Sequence, residues 1–149
     1  MKTRITLLVA LLSIAAVAET ARHVPASHQL EPEQLAKLLK TEKPLVLMVG
    51  PKFMYSQAHI PGAEYVGMAS ENAGRKALRE RVAKLPKTQA VVLYCGCCPW
   101  TFCPNIAPAF NELQSLGFKN VKVLHLEQNF AADWVDKAYP VQRSAPAGK

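Results

Sequence analysis

Apolar residues along the chain fall into two patterns, short continuous runs and runs with helical spacing. Four runs have the length and composition of strands: 44–49, 63–66, 90–94 and 121–126. Four segments carry apolar residues three and four positions apart: 31–40, 71–85, 105–116 and 130–137. Strands that alternate with helices in this order predict an α/β domain whose central sheet is mostly parallel and flanked by helices.

The chain opens with a basic and then strongly apolar segment. Lys2 and Arg4 precede an apolar run over 5–17, and Ala16-Val-Ala18 has the small residues of a cleavage signal. We expect residues 1–18 to be a signal peptide, so the mature protein is expected to be periplasmic or secreted. The alternative is an N-terminal membrane anchor. However, the run is shorter than a typical membrane span and no second one follows, so we expect no stable span in the mature protein.

The rest of the chain suits one compact domain. We divide it into a polar lead at 19–29, a folded domain at 30–141 and a flexible tail at 142–149. The formal charge of +7 falls to +5 without residues 1–18, which carry Lys2 and Arg4 and no acid. A charge this modest, together with export, argues against nucleic acid as a partner.

All four cysteines lie within one loop, between the strand at 90–94 and the helix at 105–116. They are Cys95, Cys97, Cys98 and Cys103. The end of a strand and the start of a helix offer free backbone N–H groups and the positive end of a helix dipole, which stabilise a thiolate. In an oxidising compartment such thiols pair with one another, bind a metal or are kept reduced by a partner. The loop is therefore the candidate working site.

Short motifs resemble those of a known family. Ala58-His-Ile-Pro-Gly-Ala63 is similar to the Gly-His-Ile-Pro-Gly-Ala signature of rhodanese-like domains, and Val91-Val-Leu-Tyr-Cys95 is similar to the strand that leads into their catalytic cysteine. Leu116-Gly-Phe-Lys-Asn-Val121 and the segment 134–141 resemble later family motifs. The resemblance covers residues 30–141. It implies a rhodanese-like three-layer α/β domain that carries sulfane sulfur as a cysteine persulfide.

The chain departs from the family pattern at the site. The family usually has Asp-Val-Arg where this chain has Met48-Val49-Gly50, and its active loop is usually shorter. No Arg or Lys occurs between Tyr94 and Lys119, so the loop itself offers no cation to an anionic donor. The resemblance thus identifies an exported variant with an extended, cysteine-rich active-site loop.

In the family pattern the catalytic cysteine directly follows the strand, so the resemblance implies that Cys95 is the nucleophile. It also implies a sulfurtransferase that needs no cofactor. Cys98 or Cys103 is expected to resolve the persulfide, and Cys103, directly before the helix, is also a rival nucleophile. The other loop residues are expected to bind substrate: Gly96, Cys97, Pro99, Trp100, Thr101 and Phe102. The expected partners are a small sulfur donor, such as thiosulfate or a persulfide, and a thiol acceptor or reducing partner protein.

Other functions fit the same thiols, and enzyme activity is not decided by the sequence. Cys95, Cys97, Cys98 and Cys103 are soft ligands suited to Cu(I). Cys95-Gly-Cys-Cys98 also has the Cys-x-x-Cys spacing of thiol–disulfide exchange. The missing Asp-Val-Arg allows a catalytically inactive rhodanese-fold binding domain, and two disulfides, for example 95–98 with 97–103, would make the loop purely structural.

Aromatic and histidine residues near the loop receive simpler interpretations. We expect Trp100 and Phe102 to cover the loop against solvent. His125, near the end of the strand at 121–126, is expected to be a satisfied polar residue that lies within reach of the loop. His59 belongs to the Ile-Pro-Gly turn and is expected to be structural.

Overall fold

The computed structural model describes residues 24–144. The expected signal peptide at 1–18 and residues 145–149 of the expected tail lie outside this range. The strands are β1 (Gln29–Leu30), β2 (Leu45–Met48), β3 (Glu64–Tyr65), β4 (Val91–Tyr94) and β5 (Val121–Leu124). The α-helices are α1 (Pro32–Thr41), α2 (Lys52–Gln57), α3 (Asn72–Val82) and α4 (Ile106–Ser115). Short 3₁₀ turns occur at Ala26–His28 and Trp100–Phe102, and a π-helical turn at Ala131–Val135.

The strands form one parallel sheet in the order β1-β5-β4-β2-β3. β4 lies in the centre, where it pairs with β2 from Leu45↔Val91 to Met48↔Tyr94 and with β5 on its other side. All four residues of β4 are buried, as a strand covered on both faces requires. The expected α/β fold with a central parallel sheet flanked by helices is confirmed.

Successive side chains of β4 enter two different cores, because neighbouring residues of a strand point to opposite faces. Val91 and Leu93 belong to the core that contains the buried faces of α3 and α4. Val92 and Tyr94 belong to the core beneath α1 and the π-helical turn. The alternation continues into the loop, so Cys95 packs with the first core, on the side of α4.

Helix α4 begins later than the sequence pattern indicated, which changes the position of two prolines. The sequence pattern predicts this helix over 105–116. In the structure Asn105 is the N-cap and α4 starts at Ile106, so Pro104 precedes the helix and Pro108 lies within its first turn. N–H groups of a first turn have no partner within the helix, so a proline there removes no helical hydrogen bond.

Two elements were not predicted because neither is long enough to show a period. β1 has two residues and is recognised by its pairing with β5. Helix α2 has six residues, none of them buried, so it lacks an apolar stripe. Helix α3 also ends at Val82, three residues before the predicted end.

The Ile-Pro-Gly turn joins the domain to its C-terminal segment. His59 exchanges two backbone hydrogen bonds with Gln142, in an antiparallel bridge outside the sheet. The His59 ring is buried, stacks on Tyr55 and has its Nδ1 2.7 Å from the Tyr55 carbonyl oxygen. These contacts fit the structural role expected of His59. Within residues 24–144, no helix has both the length and the apolar character needed to cross a membrane.

Candidate active site

Cys95 follows the last residue of the central strand, at the carboxyl end of the sheet. Ligands of parallel α/β sheets bind at this end, so the position suits a reacting group. The Cys95 side chain is only 2% exposed. Gly50, which follows β2, lies directly beside it: a Cβ on Gly50 would come within 2.8 Å of both the Cys95 carbonyl oxygen and its Sγ. The sulfur of Cys95 therefore lies in space that a side chain at position 50 would occupy.

The loop brings its sulfur atoms into contact with one another. The Sγ atoms of Cys95 and Cys97 are 3.3 Å apart, and those of Cys97 and Cys98 are 2.9 Å apart. The Sγ atoms of Cys95, Cys97 and Cys103 all lie within 4.8 Å of one another, while Cys98 falls outside that set. All four cysteines are free thiols, so the disulfide pairing of 95–98 with 97–103 is absent from the structure.

Asn105 is the polar side chain that contacts the Cys95 sulfur. It is 2% exposed, and its Nδ2 lies 3.4 Å from Cys95 Sγ and donates to it. Its Oδ1 accepts a 2.9 Å hydrogen bond from the backbone N–H of Ser70, which fixes the amide orientation. The amide thus presents a donor to the sulfur, and a donor stabilises negative charge on sulfur during reaction.

Cys103 sits where helix α4 begins. It is 7% exposed, and the backbone N–H groups of Asn105 and Ile106 point toward its sulfur. Those N–H groups favour a thiolate, as expected for a cysteine before a helix. The hydrogen bond with Cys95, together with burial, outweighs them and raises the pKa of Cys103 well above its ordinary value. Because of its hydrogen bond with Cys95 and its burial, the N–H groups at the helix start do not lower the pKa of Cys103 below its ordinary value.

Two further thiols of the loop are held in the protonated form. Burial raises the pKa of Cys97 to about 12, and the hydrogen bond that its S–H donates to Cys98 adds to this effect. Burial also raises the pKa of Cys98 above its ordinary value. No basic residue lies within the loop to oppose these shifts. At neutral pH Cys97 and Cys98 are therefore proton donors rather than thiolates.

Backbone contacts anchor the loop to the segment after β5. Gly96 has a φ of +93°, which favours glycine, and its carbonyl oxygen accepts a hydrogen bond from the N–H of Phe130. The N–H of Trp100 donates to the carbonyl oxygen of Leu126. The Trp100 ring packs against the core on the α4 side, whereas Phe102 is 81% exposed. The expectation that Phe102 covers the loop is therefore wrong, because the 3₁₀ turn at Trp100–Phe102 directs that ring outward.

His125 contacts the edge of the loop but not its sulfur atoms. Its ring packs edge-on against Trp100, with a centroid separation of 5.3 Å, and its Nδ1 lies 2.6 Å from Glu31 Oε1. This geometry agrees with a satisfied polar residue. Of the remaining loop positions, Pro99 is partly buried and Thr101 is exposed, and neither contacts the sulfur cluster in any hydrogen bond of the described residues.

The sequence pattern did not reveal two residues that shape the site. Asn105 was only the first residue of the helix predicted at 105–116, which is a helix signal rather than a site signal. Gly50 was noted as a departure from the family motif, but its contact with Cys95 follows from the pairing of β2 with β4. Both residues reach the site through neighbouring elements, which a linear motif does not show.

A family model described as the rhodanese-like domain matches residues 31–126, more than half of the chain. The chain belongs to the rhodanese-like domain family. Cys95 thus occupies the end of the central strand in a rhodanese-like domain, and the other three cysteines fill the active-site loop of that fold. No curated protein sequence matches the chain.

Solved structures of rhodanese-like domains resemble this one. The rhodanese-like domain of the Alr3790 protein from Anabaena sp. is 23% identical, with a TM-score of 0.56 over 82% of this chain and 86% of that one. The BH2092 protein from Bacillus halodurans is 19% identical, with a TM-score of 0.60 over 91% and 86%. A rhodanese-related protein from Thermoplasma volcanium is 21% identical, with a TM-score of 0.54 over 77% and 97%. At these identities the likeness establishes the fold.

The protonated state of Cys97 predicts slow alkylation. With a pKa of about 12, about one Cys97 in 10,000 is a thiolate at pH 8, against about a quarter of the molecules of an ordinary cysteine. We expect the alkylation of Cys97 by iodoacetamide, followed by peptide mass mapping, to accelerate about tenfold per pH unit between pH 8 and pH 10. The urea-unfolded protein is the control and should react rapidly at pH 8. A rate that levels off below pH 9 would contradict the assignment.

Proposed function

We propose that this protein is an exported sulfurtransferase in which Cys95 carries sulfane sulfur as a persulfide. The observation that carries the proposal is the placement of Cys95 at the end of the central strand of a rhodanese-like domain, with the Asn105 amide donating to its sulfur. The proposal of export, to the periplasm or the exterior, is supported by the basic and then apolar sequence at 1–18.

The reaction divides into two sulfur transfers. The Cys95 thiolate attacks the outer sulfur of thiosulfate, the bond between the two sulfurs of the donor breaks, and sulfite leaves with its electron pair. An acceptor thiolate then attacks the outer sulfur of the Cys95 persulfide and leaves as a new persulfide, which restores the Cys95 thiolate. A persulfide donor would replace thiosulfate in the first step and release a thiolate.

The chain supplies hydrogen-bond donors rather than cations for these steps. Negative charge passes through the Cys95 sulfur, where the Asn105 amide donates. Because Cys95 is almost completely buried, thiosulfate reaches its sulfur only after the loop over 96–102 moves aside. Backbone hydrogen bonds with Leu126 and Phe130 and the packing of Trp100 against the core hold the loop, so such a movement breaks these contacts but leaves the pairing of the strands intact.

Intact-mass measurement of the anaerobically purified mature protein tests the proposal. Soon after thiosulfate is added, each protein molecule should have released one sulfite and gained one sulfur atom, and a reductant should remove the added sulfur. A protein that neither gains sulfur nor releases sulfite is not a thiosulfate-type sulfurtransferase. Repetition with a low-molecular-weight persulfide distinguishes a wrong donor from a wrong reaction.

A second candidate function is the binding of Cu(I) by the same cluster. The observation that favours it is that three thiol sulfurs, from Cys95, Cys97 and Cys103, lie within 4.8 Å of one another. Thiolates are soft ligands that select Cu(I), whereas structural zinc sites usually close with four ligands. Bound Cu(I) would block the nucleophile, so the two functions exclude each other in one molecule. Anaerobic titration with Cu(I) against a competing chelator, with and without thiosulfate treatment, measures whether the site prefers the metal.

A further inference from the structure

We propose that Cys97 resolves the Cys95 persulfide within the loop, so that the protein releases its sulfur as sulfide and is then re-reduced by a dithiol. This inference rests on the proposed function, since it begins from a persulfide on Cys95. It adds a reductive activity to sulfur transfer and identifies the class of partner, a dithiol reductant. It also replaces the expected resolving residues, Cys98 or Cys103, with Cys97, a partly exposed thiol in contact with the Cys95 sulfur.

Contact with the Cys95 sulfur and exposure to solvent together indicate which thiol attacks Cys95. The Sγ of Cys97 is 3.3 Å from that of Cys95, which is a contact distance for thiol–disulfide exchange. Cys103 also contacts Cys95, but it is only 7% exposed and its sulfur faces the N–H groups of Asn105 and Ile106. A disulfide from Cys95 to Cys103 would thus lie in the core, whereas Cys97 is partly exposed.

The resolving step balances without an external oxidant. The anionic outer sulfur of the persulfide takes the proton of Cys97, and the Cys97 thiolate so formed attacks the Cys95 Sγ. A disulfide forms between these two residues, the sulfur–sulfur bond of the persulfide breaks, and the outer sulfur leaves with the electron pair of that bond as HS⁻. The two cysteines are oxidised together and the sulfane sulfur is reduced to sulfide.

Cys98 carries the disulfide outward. Its Sγ is 2.9 Å from that of Cys97, and both residues are partly exposed while Cys95 is buried. Cys98 attacks Cys97 and passes its proton to the departing Cys95 sulfur, which moves the disulfide to the pair 97–98 and returns Cys95 as a free thiol. An external dithiol then reduces the partly exposed disulfide between Cys97 and Cys98 and becomes a disulfide itself. The sum of the steps converts thiosulfate and a dithiol into sulfite, hydrogen sulfide and a disulfide.

A single-turnover experiment tests the relay. The anaerobic, fully reduced protein receives one equivalent of thiosulfate and no other thiol. Sulfite reports loading of Cys95, trapped sulfide reports resolution, and intact mass with peptide mapping locates the products. The wild-type protein should release sulfite and then sulfide, and should end without added sulfur, two hydrogen atoms lighter and with one disulfide that a dithiol reduces.

Single substitutions separate the roles of the three candidate thiols. Cys97→Ser should release sulfite normally but keep the added sulfur, with sulfide release slower by about 100-fold or more. Cys98→Ser should release sulfide once and stop at a disulfide between Cys95 and Cys97. Cys103→Ser tests the rival thiol, because Cys103 also lies against Cys95: this variant should still release its added sulfur as sulfide and end with one disulfide.

Two outcomes overturn the relay while leaving the proposed function intact. One is sulfide release at the wild-type rate from Cys97→Ser. The other is retention of sulfur by Cys103→Ser instead, which would transfer the resolving role to that residue. If the wild type releases no sulfite, the first transfer has failed and the proposed function is wrong, so the two failures are distinguishable.

Discussion

Replacing Cys95 with serine is expected to abolish the uptake of sulfur from thiosulfate. A serine hydroxyl remains protonated and is a poor sulfur nucleophile, so the rate of sulfite release should fall by more than about 1,000-fold. The substitution changes one atom in a site that already holds a hydrogen-bond donor, the Asn105 amide. The fold should therefore persist, which thermal unfolding followed by circular dichroism can verify.

The Cys103→Ser variant allows Cys95 to be compared with the rival nucleophile, Cys103. Cys103→Ser is the matched control, since Cys103 is also buried, also contacts the cluster and also lies at the end of the loop. We expect sulfite release from Cys103→Ser to stay within about threefold of the wild type, which is less than about 1 kcal/mol in the activation barrier. Undiminished sulfite release from Cys95→Ser together with its loss from Cys103→Ser would assign the nucleophile to Cys103.

The fold was predictable because its signals are local and periodic. The apolar run of β4 and the helical spacing in α1 and α4 each need only one segment of sequence to be recognised. The position of Cys95 at the end of the central strand was predictable for the same reason, since it directly follows the last residue of β4. The parallel sheet then follows from the alternation of strands and helices.

The arrangement of the sulfur atoms could not be predicted in the same way. A Cys-x-x-Cys spacing pointed to Cys98 as the partner of Cys95, but a loop with glycine at a φ of +93° places Cys97 nearer. Similarly, the contact of Asn105 with Cys95 depends on where α4 begins, and helix ends are the least certain feature of a sequence pattern. Side-chain contacts in an irregular loop depend on backbone dihedrals that no period encodes.

Substituting alanine for Gly50 is expected to damage the site more than the fold. The added Cβ would lie 2.8 Å from the Cys95 carbonyl oxygen and from its Sγ, closer than Cβ atoms approach non-bonded atoms in proteins. The sulfur can rotate away, but the carbonyl oxygen belongs to the backbone, so the end of β4 must shift. We expect a loss of about 1–3 kcal/mol in the free energy of unfolding from overpacking. Because a misplacement of about 1 Å can reduce a rate about 100-fold, sulfite release should fall by at least about tenfold.

Gly117→Ala provides a control with a comparable cost to stability and no contact with the loop. Gly117 has a φ of +84°, and no atom outside its immediate chain neighbours lies within 4 Å of the place that a Cβ would take, so alanine there adds backbone strain alone. Denaturant unfolding should show both variants destabilised, while thiosulfate assays should show only Gly50→Ala impaired. Equal activity in the two variants would mean that Cys95 tolerates the added methyl group.

The result for Gly50→Ala would connect two departures from the family pattern, which are the glycine at position 50 and the additional cysteines of the loop. A residue with a side chain, such as the arginine of the usual Asp-Val-Arg, cannot occupy position 50 while the Cys95 sulfur lies where it does. Glycine at position 50 leaves room for the buried sulfur and places no cation beside it. The additional cysteines then surround Cys95 with thiols instead of charges. If Gly50→Ala abolishes sulfur uptake, the glycine and the cysteine-rich loop are parts of one arrangement. In this arrangement neighbouring thiols, rather than cationic side chains, supply protons to the sulfur at Cys95.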